Sequence, residues 1–305
     1  MDKEQLLQRI IVWAETSPDI RAAVLIGSQT RTDHPADEWS DLDITIITTR
    51  PKQYLSTSDW VASIGPTWLT FLEGTATGGE IERRVLFKNG LDVDFSVFPM
   101  RKVQQLGYAL RIKKYAPLLY YLLSHTLARQ VHSRLEEIAS VFQRGLRILV
   151  DKDAITTSWA YLPQKSPRDQ LPTQHQFLEV VNDFLYHGIW AAKKLRRGEM
   201  FIAKGTTDSY MKYLLLTMVE WHALTHHGTN YDTWHNGRFL EQWADPRIIE
   251  GLYTAYAHYD KDEVEHAIQA TIRLFSWVAQ ETAQQLGYAY PITAEQHIIE
   301  WLQKH

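Results

Sequence analysis

The sequence predicts an α+β protein, with a mixed sheet in the first half of the chain and an all-helical bundle in the second. The first hundred residues alternate short β-branched runs with turn signals. Beyond Pro99 the chain passes into long stretches of Leu, Ala, Lys, Glu and Gln with few strand signals. The length of 305 residues is the third observation, since it suffices for about two domains that each bury a core. A composition of 45% hydrophobic and 22% charged residues is that of a packed globular chain and excludes a disordered or fibrous one.

Leu6, Leu7, Ile10, Ile11 and Ala14 recur at helical spacing and Pro18 with Asp19 ends the run, so residues 3–16 form an amphipathic helix. Residues 22–26, AAVLI, are short and apolar and run straight into Gly27-Ser28, as a buried strand ending in a tight turn does. A second strand is expected over 41–49, DLDITIITT, and a third over 91–98, LDVDFSVF, which follows RRVLF across the hairpin signal Asn89-Gly90. Helices are then expected over 101–148, 173–197, 207–226, 246–257, 262–286 and 293–303. The three prolines of WAYLPQKSPRDQLP, residues 159–172, mark a linker, and the boundary is placed near residue 155, giving domains 1–155 and 156–305.

The chain has no cysteine, which excludes disulfides, thiolate metal sites and thiol chemistry and suits a reducing cytosol. The N-terminus intersperses charges among its apolar residues and no stretch approaches 18 consecutive apolar residues, so a soluble cytoplasmic protein without a membrane partner is expected. The net charge of −4 disfavours a general nucleic-acid binder, including a polymerase or an RNA-modifying transferase. The charge is uneven: residues 1–100 hold 9 Lys+Arg against 15 Asp+Glu, so a metal or cationic partner is sought there.

Gly27-Ser28, Asp41-Leu42-Asp43 and Asp94 form the informative constellation. Two aspartates two apart on a strand leave the same face with Cα atoms roughly 7 Å apart, and carboxylates that close repel unless a cation lies between them. Mg²⁺ takes a few carboxylates with phosphate oxygens and water, and a pair of such ions is the usual solution. Asp94 on a neighbouring strand would complete the cluster or accept the proton of an attacking hydroxyl; Asp92 shares its face, and spacing leaves the choice open. The glycine turn offers a close backbone approach, exposed N–H groups and the Ser28 hydroxyl, which is what a phosphate needs.

In order and spacing these motifs resemble the polymerase-β-like nucleotidyltransferase fold, and more closely the streptomycin (aminoglycoside 6-) adenylyltransferase family. The resemblance rests on IGSQTR at the glycine turn, WSDLDITI at the Asp-x-Asp strand, DFSVFP at the third-aspartate strand and LVDKD at 149–153. In the second half it rests on Asn182-Asp183-Phe184, KKLRRGEM at 193–200, WHNGRFLEQW at 234–243 and LGYAYP at 286–291. It implies transfer of AMP from Mg²⁺-ATP to an aminoglycoside hydroxyl, streptomycin first, with release of pyrophosphate and inactivation of the antibiotic; the sequence does not give the oligomeric state, and a monomer is favoured. By position, Gly27 and Ser28 would hold the triphosphate, Asp41 and Asp43 would bind two Mg²⁺ ions, and Asp94 would be ligand and base, with Asp92 ranked second. Gln29 stands where the family usually has Arg, which leaves Arg31 as the candidate phosphate contact, and the region from Pro99 to Leu149 is longer than the family pattern.

A polycationic substrate calls for carboxylates and aromatic faces, and Glu179, Asp183 and His187 share one helix face at i, i+4 spacing. Asp183 matches an acidic position in the family and is the expected substrate contact, with the substrate lying between the domains. His222 and His226 have a spacing compatible with zinc but no third ligand is evident, so a surface or capping cluster is expected. GTATGGE at 74–80 lacks the lysine of a P-loop and reads as a flexible connection, and Arg83-Arg84 and Arg196-Arg197 as short basic pairs, solvated as most such pairs are unless one meets ATP phosphates. The alternative functions are the same chemistry on another acceptor, such as a lincosamide, a metabolite or a protein hydroxyl, or a non-catalytic nucleotide-binding sensor.

Overall fold

The computed structural model describes residues 1–30, 34–74, 81–115, 145–161 and 171–304. The chain divides into two compact units, Met1–Ser166 and Pro167–His305. Arg31 and most of the stretches 74–80 and 159–172 lie outside the described residues.

The first unit opens with helix α1, Lys3–Thr16, started by a capping box in which Asp2 accepts from the Gln5 backbone N–H and the Gln5 side chain accepts from that of Asp2. Strands β1, Ile20–Ile26, β2, Leu42–Thr48, β3, Thr67–Gly74, β4, Ile81–Phe87, β5, Asp92–Pro99, and β6, Arg147–Asp151, form a sheet in the order β3-β4-β5-β2-β1-β6. The pair β2/β5 is parallel and the remaining pairs are antiparallel, so the expected mixed sheet is observed. The hairpin across Asn89-Gly90 joins β4 to β5. Helices α2, Pro51–Ser56, and α3, Met100–Tyr115, complete the unit's described α-helices.

Alternation decides the two faces. Ala23, Leu25, Ile44, Ile46, Phe95 and Val97 enter the core under α1, where Trp13 stacks on Trp60 at 4.8 Å and meets Tyr54 and Phe95 edge-on. Ala22, Val24 and Ile47 point the other way, onto Met100, Val103 and Trp159.

The structure departs from the expected elements at three places. The helix expected over 101–148 overruns the start of β6 at Arg147 and Ile148: RILVD is a short run that pairs with the edge β1 offers it. Residues 116–144 lie outside the described residues. Strand β3 went unforeseen because it is an edge strand with most of its side chains exposed, so neither alternation nor an apolar run marks it. The helix expected over 207–226 is observed but longer: it runs on from α5, Met200–Gly205, through a π-helical turn, Thr206–Tyr210, into α6, Met211–His227.

The second unit is helical as expected. Its other described helices are α4, Gln174–Arg196, α7, Leu240–Trp243, α8, Pro246–Ala255, α9, Lys261–Leu286, and α10, Ile292–Lys304. A second capping box, Thr173 with Gln176, starts α4, and Gly287 in the left-handed region ends α9. Helix α9 supplies the axis of the core: Phe275 stacks on Phe184 of α4 at 3.6 Å between ring centres, and Val264, Ile268, Ile272 and Val278 extend the buried stripe. Among the described residues no helix is long and apolar enough to cross a membrane.

Phe275 is fully buried, so Phe275→Ala is expected to destabilise the helical unit by about 3–5 kcal/mol, measured as a lower denaturation midpoint by circular dichroism; a shift under about 1 kcal/mol would show that this stack is not a core contact.

Candidate active site

At one end of the sheet β1 finishes while β2 and β5 begin. Ile26 at the end of β1 is the register partner of Asp43, and Asp43 is the register partner of Asp94 across the parallel pair. The neighbours Leu42, Ile44, Val93 and Phe95 are buried on the α1 face, so alternation sends Asp43 and Asp94 together to the opposite face. Asp41 is not on the strand as expected; it is the loop residue just before β2. It joins the others nonetheless, and ligand oxygens of Asp41, Asp43 and Asp94 lie within 4.8 Å of one another. Asp92 is exposed and outside this cluster, which separates it from Asp94 where spacing alone did not.

The crowding has an electrostatic consequence. Burial pushes the Asp94 carboxyl up to about 6 against the pull of Arg84, and the charges of Glu82, Asp41 and Asp92 add to the rise. A bound divalent cation removes that penalty, and an all-carboxylate donor set is what Mg²⁺ takes.

The turn after β1 is shaped around the cluster. Gly27 has φ +76°, and a Cβ at that position would sit 2.0 Å from Oδ2 of Asp43, so glycine alone lets this carboxylate seat against the turn. Thr30 closes the turn by donating to the Gly27 carbonyl at 3.0 Å. The Ser28 Oγ is buried without a hydrogen-bond partner among the described residues, a position that costs about 1–3 kcal/mol unless an acceptor reaches it. A phosphate oxygen is such an acceptor. Gln29 donates from Nε2 to the Asp41 carbonyl at 3.2 Å, so it ties the turn to the loop that carries the first carboxylate.

Two further residues stand at this site, Arg84, which the sequence marked only as one of a basic pair, and Glu82, which it did not mark. Arg84 on β4 faces Asp94 in register and lies 3.4 Å from its Oδ2, 3.2 Å from Glu82 and 2.6 Å from Glu73. Glu82 is buried beside it, and burial raises its carboxyl. The available signal was period 2, by which positions 82, 84 and 94 share a face once β4 and β5 form a hairpin. The same parity corrects the expectation of a solvated basic pair: Arg83 turns the other way, is 6% exposed and donates to the carbonyls of Tyr54 and Leu55 at 3.0 and 2.7 Å.

In the second unit, the Asp183 carboxylate takes the Tyr210 hydroxyl at 2.7 Å and His187 Nδ1 at 2.7 Å, and the His187 and Tyr210 rings lie 4.5 Å apart. The hydrogen bond to Asp183 raises the Tyr210 phenol. Glu179 does not join them; it pairs with His175 at 3.3 Å on the exposed surface.

The family model for streptomycin adenylyltransferase matches residues 1–305. The chain belongs to that family. It is accordingly an enzyme of the nucleotidyltransferase class, with a nucleotide among its substrates. Similar proteins include an aminoglycoside 6-adenylyltransferase of Campylobacter jejuni, 22% identical over 96% of this chain and 92% of the relative. Another of the same name, from Bacillus subtilis (strain 168), is 19% identical over 95% and 93%. A crystal structure of an aminoglycoside 6-adenyltransferase from Bacillus subtilis aligns at 18% identity with a TM-score of 0.43, covering 100% of this chain and 98% of that one.

Gly27→Ala forces a Cβ into the Asp43 carboxylate and an L side chain into the left-handed region, for which a loss of about 1–2 kcal/mol is expected together with most of the divalent-cation affinity. Isothermal titration with Mg²⁺ and Mn²⁺ checks this, and unchanged affinity in the folded variant would refute the close packing.

Proposed function

We propose that this protein transfers AMP from Mg²⁺-ATP to a hydroxyl of an aminoglycoside, streptomycin being the first candidate, and releases pyrophosphate, thereby inactivating the antibiotic. The observation that carries the reading is the meeting of three carboxylates beside a glycine turn with an unsatisfied serine hydroxyl. Family membership and relatives named aminoglycoside 6-adenylyltransferases support the acceptor class. The absence of cysteine agrees with a cytoplasmic site of action, where ATP is abundant.

Asp41, Asp43 and Asp94 would hold the divalent ions. When bound, Mg²⁺ neutralises the triphosphate and the charge that develops on the departing pyrophosphate. The Ser28 hydroxyl and the backbone N–H groups of the turn donate to phosphate oxygens, and Gly27 keeps the backbone free to approach them. Asp94 accepts the proton of the acceptor hydroxyl as the oxygen bonds to the α-phosphorus and the bond to the β-phosphate oxygen breaks. No covalent enzyme intermediate is involved. Asp183, oriented by Tyr210 and His187, is the proposed contact for an ammonium or guanidinium group of the acceptor, with the neighbouring aromatic rings supplying cation–π attraction.

Asp43→Asn is expected to fold as wild type and lose more than about 10²-fold in turnover, and Asp94→Asn about 10²–10⁴-fold. Pyrophosphate release with streptomycin reads both, and a larger loss from Asp92→Asn than from Asp94→Asn would move the base to Asp92. Mass spectrometry of reactions with streptomycin, other aminoglycosides and a lincosamide identifies the acceptor. An AMP adduct on streptomycin is expected, one on the lincosamide alone would replace the acceptor class, and neither adduct nor pyrophosphate from protein that binds Mg²⁺-ATP would favour a nucleotide sensor.

A further inference from the structure

The helical unit brings His222 and His226 of α6 together with Glu281 of α9. Sequence spacing offered the two histidines without a third ligand; the third lies 55 residues further on from His226 and reaches them only because α6 and α9 pack side by side. One ligand atom from each of the three lies within 4.8 Å of the others. We propose that His222, His226 and Glu281 form a zinc site that clamps the end of α6 to α9, with water in the fourth position.

Chemically the donor set is two imidazoles and a carboxylate, which suits Zn²⁺ and not Mg²⁺. His226 Nδ1 donates to the His222 carbonyl at 2.8 Å, which can only accept, so the lone pair is left on Nε2. A ligating histidine is commonly oriented in this way, by donating its other ring N–H to a backbone carbonyl. His222 is 2% exposed and its Nε2 lies 2.9 Å from Glu281 Oε2. Tetrahedral zinc with bonds of about 2.0–2.1 Å sets its ligand atoms about 3.3 Å apart, so a few tenths of an ångström convert this hydrogen-bonded pair into a liganding pair.

The carboxylate is held from behind. Trp277 Nε1 donates to Glu281 Oε1 at 2.7 Å, and Arg247, stacked over the Trp277 ring, approaches Oε1 and Oε2 at 3.2 and 3.3 Å while also binding Asp245. Asp245 absorbs part of the Arg247 charge, so the arginine orients the ligand without cancelling it. The adjacent His227 takes no part; it stacks on Tyr231.

The test uses the full-length, tag-free chain carrying Asp43→Asn, which disables the carboxylate cluster as a competing zinc site. After loading with ZnCl₂ and exhaustive dialysis, elemental mass spectrometry is expected to find one zinc per chain, and Co²⁺ in its place should give the intense visible absorption of a tetrahedral site. Adding His226→Gln at the exposed end of the site, or Glu281→Gln, should reduce retained zinc to below about a tenth of an equivalent, as expected when a ligand is removed, and abolish the rise in thermal midpoint that zinc produces. Circular dichroism verifies that both variants fold. No retained zinc in the Asp43→Asn chain, or zinc retained equally by the folded His226→Gln and Glu281→Gln variants, overturns the site and leaves a hydrogen-bonded His–Glu pair.

Discussion

The first unit is organised around the parallel register of β2 and β5, which sets Asp43 opposite Asp94. Two carboxylates on neighbouring strands, with a third from the loop before β2, are held together at a cost in repulsion that a bound cation relieves. The Asp94 carboxyl is raised chiefly by its burial, and the charges of Glu82, Asp41 and Asp92 add to the rise. The surrounding features serve the same arrangement: Gly27 because no side chain fits beside Asp43, Gln29 because it anchors the Asp41 backbone, and Arg84 because it partly offsets the charge of Asp94.

The apolar side of the strands makes that arrangement rigid. Leu42, Ile44, Val93 and Phe95 alternate with the two aspartates and are locked under α1 by the Trp13, Tyr54 and Trp60 cluster. A slip of one residue in either strand would bury an aspartate among these side chains and expose a core residue, so packing and charge placement enforce one register. The helical unit follows the same logic with a 3.6-residue period, the buried stripe of α9 leaving its polar positions, Glu281 among them, for the neighbouring helices.

Much of this was legible in the residue pattern and some was not. Helix α1, strands β1, β2 and β5 and the long helices α4 and α9 carried strong periodicity or sharp turn signals and stood close to their observed bounds. Strands β3 and β6 did not: one is an exposed edge, the other a five-residue run whose strand character comes from pairing with β1. Gly27, Ser28, Asp41 and Asp43 were singled out from order and spacing, which left Asp94 and Asp92 as alternatives, whereas Arg84 and Glu82 could not be placed beside them because a basic pair in a strand looks solvated until its two faces are assigned.

Local chemistry therefore determined by itself which residue types the site would use, since a glycine turn, an Asp-x-Asp and a later aspartate each have a meaning within a few positions of chain. Whether Asp92 or Asp94 belongs to the cluster, whether Arg84 faces it, and that His222 and His226 acquire Glu281 were decided only by tertiary structure. The reason is geometric. Each of those outcomes depends on a distance between segments separated by tens of residues, and such distances are set by strand register and helix packing, to which the local pattern is blind.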